Sequence, residues 1–173
     1  MRTEGRFSSV LGMALALAMI GSWATTGSAE PKSLRAGSPL QADTVRWTVH
    51  VVPEHPKPGD ALEIVFTADI PSGWILYSSD FSADIGPRPA RFSFDATPGV
   101  DLVEGVRAIK SLRRKDKTWN TAYRYFEGRA EFRQRAKLTA PVQAIAGRID
   151  GQTCFEESGL CKLFHETFAA NLD

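Results

Sequence analysis

The chain has 173 residues, 43% of them hydrophobic, and carries 21 basic against 20 acidic side chains. That length suits one domain with one real core. So balanced a charge argues against nucleic acid as a partner, because that recognition draws on a strongly basic surface.

Arg2 and Arg6 give a positive start, Val10 to Ile20 is apolar apart from Gly12, and Gly27-Ser28-Ala29 offers a small-residue cleavage site. Residues 1–29 read as a secretory signal peptide, with an apolar run too short for a membrane span; an uncleaved N-terminal anchor is the alternative. No cysteine follows the cleavage site, which argues against a lipoprotein anchor. The expected location is periplasmic or secreted, and there two cysteines normally pair. Residues 30–43 are polar with Pro and Gly and read as a flexible lead-in to a domain over 44–173.

In that domain Val45, Trp47, Val49 and Val51 alternate with polar residues, which predicts a strand over Thr44–Val52 with one buried face. The proline-rich stretch 53–60 is a connection unfit for a central strand. Leu62, Ile64, Phe66 and Ala68 form the next inward face. Pro71-Ser72-Gly73 marks a turn before the short aromatic strand Trp74-Ile75-Leu76-Tyr77. Gly86-Pro87-Arg88-Pro89 breaks the chain again before a strand over Arg91–Asp95, and Val100–Glu104 is another.

Residues 107–124 are basic, with Trp119 among them. They read as a solvated hairpin or edge strand kept from aggregating by its charges, in preference to an anion patch. Ala130–Leu138 alternates through Phe132 and Ala136. Ile145, Gly147 and Ile149 lead to the first cysteine, and Phe164–Leu172 closes the chain. No segment after the first 29 residues sustains a helical i, i+3, i+4, i+7 stripe. About eight short strands separated by turn signals predict an all-β fold, an antiparallel sandwich of immunoglobulin-like type.

The only two cysteines, Cys154 and Cys161, stand six residues apart between two predicted strands. The spacing is neither a CxxC redox site nor the doubled CxxC of structural zinc. As a strand-loop-strand unit it is a hairpin whose neck one disulfide could close. As a staple, a loop this small contributes about 2.5 kcal/mol by chain entropy, and it ties strands that are already neighbours. Glu156 and Glu157 at the hairpin tip disfavour a nearby thiolate, whereas Lys162 beside Cys161 favours one. The composition suits a disulfide attacked by a partner's thiolate.

His50 and His55 read as surface residues. Cys154, Cys161 and His165 could offer a soft metal two thiolates and an imidazole, but a fourth ligand is missing and oxidation of the pair competes, so no metal is expected. No Ser-His-Asp arrangement or His-Glu motif supports hydrolase chemistry.

Four motifs in order carry a resemblance: Pro71-Ser72-Gly73-Trp74-Ile75-Leu76-Tyr77; Gly86-Pro87 before a strand; Tyr125-Phe126-Glu127-Gly128-Arg129-Ala130; and Gly151-Gln152-Thr153-Cys154 with a second cysteine one short loop later. Over about residues 45–172 the chain resembles the periplasmic N-terminal domain of the DsbD family of transmembrane thiol-disulfide interchange proteins. The resemblance implies an immunoglobulin-like sandwich whose cysteine pair accepts electrons from a thioredoxin-like domain and passes them to periplasmic disulfide isomerases or cytochrome-maturation thioredoxins. It implies Cys154 and Cys161 as the redox pair, with Cys161 forming the mixed disulfides. It also implies a cap loop over the cysteines at Phe126 and Tyr125, with Tyr77 at the partner-binding surface.

Three departures stand out. Lys162-Leu163-Phe164 replaces the aromatic or proline residues common after the second cysteine. Arg124-Tyr125 replaces the acidic residues that can precede the cap. The transmembrane conduit and thioredoxin domain of the family are not in this sequence, so a separate polypeptide is expected to supply them. The first expectation is thus a monomeric electron carrier that needs no cofactor and exchanges disulfides with thioredoxin-fold proteins. The alternative is a non-catalytic immunoglobulin-like binding module with a structural disulfide.

Overall fold

The structure, a computed structural model, describes residues 45–82, 85–115 and 121–172. The predicted signal peptide and lead-in, Thr44 and Trp119 lie outside them. In chain order the strands are β1 (Arg46–Val52), β2 (Ala61–Asp69), β3 (Trp74–Tyr77), β4 (Arg91–Phe94), β5 (Val100–Ala108), β6 (Leu112–Lys115), β7 (Ala122–Glu127), β8 (Arg129–Leu138), β9 (Ala144–Phe155) and β10 (Cys161–Asn171). Among the described residues no helix is long and apolar enough to cross a membrane.

Two antiparallel sheets face each other. One has the order β1-β2-β8-β5; the other has the order β10-β9-β3-β7-β6, with β4 also paired to β9. The fold is all-β, an antiparallel sandwich of immunoglobulin-like type. The basic stretch is in part the hairpin expected of it, since β6 pairs with β7 from Leu112–Tyr125 to Lys115–Ala122. The strand predicted over Val100–Glu104 runs further, to Ala108, past an irregularity between Val103 and Arg107. There the buried Gln134 donates to the carbonyls of Val103 and Glu104 at 3.1 and 3.2 Å. A buried amide with these partners offsets its own desolvation.

The core between the sheets is aromatic. Phe66 on β2 pairs with Phe132 on β8, and both are fully buried. Rings from the second sheet close onto them: Phe92 lies 4.9 Å from Phe66 and 5.0 Å from Phe132, and Phe168 lies 4.8 Å from Phe66. Tilted and edge-on contacts at these separations contribute beyond the area they bury. Glycines on β9 make room for two of the rings. Gly151 is paired with Phe164, Gly147 with Phe168, and each ring lies over the glycine opposite it.

Gly147 is the tighter of the two. A Cβ there would meet the Ser93 carbonyl oxygen of β4 at 2.1 Å and the Phe168 ring at 2.7 Å. Backbone cannot rotate aside as a side chain can, so Gly147→Ala forces β4 off β9 and loosens Phe92 and Phe94. The expected loss is about 1–3 kcal/mol or more, the scale of overpacking in a close-packed interior, read from urea unfolding. An unchanged midpoint would contradict this packing.

Candidate functional site

Strand alternation sorts the residues around the cysteines onto the two faces of the second sheet. Cys154 on β9 stands opposite Cys161 on β10 and opposite Ile75 on β3, and Ile75 stands opposite Glu127 on β7. These four residues form one row on the face turned away from the core. Cys154 and Cys161 are joined in a disulfide, with Cα atoms 4.0 Å apart.

The two sulfur-bearing residues differ sharply in exposure. Cys154 is paired on both sides within the sheet and retains 5% of its accessible surface. Cys161 begins the edge strand β10 and is exposed. A second small cluster, on the outer face, covers Cys154: Ile75, Tyr77, Tyr123 and Tyr125 are buried with it, and Phe81 packs against them. The Tyr123 ring meets Tyr77 at 5.3 Å and Tyr125 at 5.7 Å.

The hairpin between the cysteines is tied down at several points. Phe155 N–H donates to the Leu160 carbonyl at 2.8 Å, and Glu156 N–H donates to the Gly73 carbonyl at 2.9 Å. The Pro71-Ser72-Gly73 turn therefore supports the loop between the cysteines directly. Gly73 has a φ of 79°, and a Cβ there would lie 2.5 Å from the Phe155 ring, so both backbone and space call for glycine.

Arg114 braces the tip from the far side. Its guanidinium pairs with Glu156, lies 4.4 Å over the Tyr125 ring and donates to the Tyr125 hydroxyl at 2.7 Å. Glu127 is 3.5 Å away. The hydrogen bond to Glu156 holds the Arg114 pKa above its ordinary value, and burial, first among several causes, pushes the Tyr125 phenol up. Arg114 stays charged and Tyr125 neutral around neutral pH. Both ion pairs are half-exposed, so each is worth only about 0–1 kcal/mol; the brace positions the hairpin more than it stabilises the fold.

Tyr77 and Tyr125 therefore stand on the cysteine face, and Tyr123 joins them. Phe126 does not. It lies in strand β7 opposite Leu76, buried in the core between the sheets, 5.2 Å from the Phe132 ring. Gly128, with a φ of 65°, turns the chain from one sheet into the other directly after Glu127. The segment expected to be a cap loop is thus a strand and a crossover, and Phe126 points away from the disulfide.

Lys162 is a second correction. Alternation puts it on the face opposite Cys161, with its ammonium 4.8 Å over the Trp74 ring. His165 shares the outer face with Cys161 but pairs with Asp150, its Nδ1 2.5 Å from Oδ1, and so does not complete a Cys-Cys-His ligand set. Beside that pair is an open cleft lined by Gly86, Pro87, Arg88, Leu163 and neighbouring residues.

Gln152 and Arg114 were not singled out from sequence. Gln152 had a readable signal, since two residues before Cys154 on a strand means the same face. Arg114 had none beyond its charge, because its place depends on the β6–β7 pairing.

No family model matches the chain, and no curated protein matches it. Among solved structures, it is similar to the N-terminal periplasmic domain of ScsB from Proteus mirabilis, with 12% identity over 74% of this chain and a TM-score of 0.47. That match spans 45% of the ScsB chain. The N-terminal domain of Neisseria meningitidis DsbD in the reduced form gives 13% identity over 76% of this chain and 86% of that one, with a TM-score of 0.45. A cohesin module from a Clostridium perfringens family 33 glycoside hydrolase gives 12% over 75% and 98%, with a TM-score of 0.43. None of these likenesses assigns a role to this chain.

The placement of Phe126 has a measurable consequence. Phe126→Ala should lose about 3–5 kcal/mol in urea denaturation, as a core phenylalanine does. Alkylation of the reduced cysteines in the folded variant should match wild type. A small loss of stability with much faster alkylation would return Phe126 to the cysteine face.

Proposed function

We propose that this chain is a thiol-disulfide exchange protein of an oxidising, extracytoplasmic compartment, working through the Cys154–Cys161 disulfide. The observation that carries the reading is the asymmetry of the pair: one sulfur-bearing residue is exposed on an edge strand and the other is buried inside the sheet. Exchange requires a thiolate to approach one sulfur in line with the bond that breaks. Cys161 is open to that approach, whereas Ile75, Tyr77, Tyr123 and Tyr125 crowd the side of Cys154. In this reading Tyr77 and Tyr125 belong to a fixed wall that directs attack to Cys161, and Arg114 holds the hairpin against it.

A staple role is a weaker account of the same bond. Cys154 and Cys161 are already opposite each other in a ladder that continues to Asn171–Ala144. Closing so short a loop contributes only about 2.5 kcal/mol by chain entropy, at the low end for a disulfide. The partners are proposed to be thioredoxin-fold proteins, on the strength of the sequence motifs; the half-exposed Leu160 and Leu163 on either side of Cys161 would give such a partner an apolar rim to dock on. The two thiols hold the electrons, so no cofactor is involved.

Trapping tests the assignment. With Cys154→Ser, the remaining Cys161 should capture thioredoxin-fold proteins from a periplasmic extract as mixed disulfides, and Cys161→Ser should capture several-fold less. Equal capture, or capture mainly through Cys154, would remove the assignment. No capture by either variant would favour a binding module with a structural bridge.

A further inference from the structure

A polar side chain within hydrogen-bond distance of the buried sulfur belongs to neither the hairpin nor the tyrosine wall. Gln152 lies two residues before Cys154 on the same face of β9, and its Nε2 is 3.4 Å from Cys154 Sγ. Its other amide atom, Oε1, accepts the backbone N–H of Arg88 at 2.9 Å. A backbone N–H can only donate, so it fixes which way the Gln152 amide points. The N–H side is left facing the sulfur.

We propose that Gln152 is a catalytic residue of the exchange reaction, the donor that stabilises Cys154 as the leaving thiolate. The inference rests on the exchange reading above. In the first step a thiolate of a partner dithiol attacks Cys161 Sγ. A partner–Cys161 disulfide forms, the Cys154–Cys161 bond breaks, and its electron pair stays on Cys154 Sγ. In the second step the partner's other thiolate attacks the partner sulfur of that mixed disulfide and releases Cys161. The partner leaves as a disulfide, this chain becomes a dithiol, and water protonates the thiolates.

The first step is where Cys154 needs help. A thiolate among Ile75 and three tyrosines loses solvation, which raises its pKa and makes it a poorer leaving group. The charged groups around it offer no net relief. Glu127 lies in the same row, Glu156 is at the hairpin tip, and Arg114 is committed to both. The Tyr125 hydroxyl is engaged by Arg114, and Lys162 is on the opposite face over Trp74. A fixed amide donor supplies what the wall removes, without a charge that would attract protons or metal. Its tether to Arg88 joins the sulfur to the loop between β3 and β4, so the donor is in place before the bond breaks.

The test uses two variants and two readouts. Gln152→Leu removes the donor. Gln152→Glu keeps the acceptor for Arg88 N–H, hence the loop, and replaces the donor with a carboxylate. In a Cys161→Ser background the Cys154 pKa, read from thiolate absorbance against pH, should rise by about one unit in Gln152→Leu and further in Gln152→Glu. In the native pair, reduction by dithiothreitol should slow by roughly threefold or more in both. Equal pKa values and equal rates in all three proteins would overturn the role of Gln152 while leaving the exchange reading intact. A wild-type disulfide that dithiothreitol does not reduce in the folded protein would overturn the exchange reading and this inference with it.

Discussion

Strand β9 is hydrogen-bonded along both of its edges, to β10 on one side and to β3 and β4 in succession on the other. Most of what distinguishes the two cysteines follows from that. A residue in the middle of a sheet has neighbours on both sides, and Cys154 has Cys161 on one and Ile75 on the other. A residue at the start of an edge strand has neighbours on one side only, and Cys161 is such a residue. The disulfide thus spans the boundary between a packed interior and solvent, and its two sulfur-bearing residues are inequivalent.

The sandwich supports this with two clusters on opposite faces of one sheet. On the inner face Leu76, Phe126 and Ile149 pack toward Phe66 and Phe132 and hold the strands in register. On the outer face three tyrosines and Ile75 surround Cys154. Strands β3 and β7 serve both clusters, giving Leu76 and Phe126 to the inner one and Ile75, Tyr77, Tyr123 and Tyr125 to the outer. The hairpin tip lies beyond both clusters. It is held by the Gly73 carbonyl and by Arg114.

The sequence made the sandwich legible wherever one face of a strand is dry and the other wet. Val45, Trp47, Val49 and Val51 alternate for that reason, and so do Phe132 and Ala136. Alternation fails where both faces are covered: every residue of Trp74-Ile75-Leu76-Tyr77 is buried, and Tyr125-Phe126 are buried on opposite sides of the same strand. Two adjacent buried aromatics carry no periodic signal, which is why Phe126 could be taken for a cap. Lys162 shows the converse. Its neighbourhood with Cys161 looked meaningful, yet the period of a strand sends adjacent side chains to opposite faces. The same period, read two residues back from Cys154, leads to Gln152. The place of Arg114 depends on which strands pair at long range, and local sequence does not encode that legibly.

The central claim is that the bond between Cys154 and Cys161 is made to be broken, and its equilibrium reduction potential tests this most directly. Folded protein equilibrated against a glutathione and dithiothreitol series, with the oxidised fraction counted by thiol labelling, should give a potential above about −300 mV, outside the range of inert structural bridges. A value well below that line would contradict the account and leave the disulfide as a staple of the hairpin.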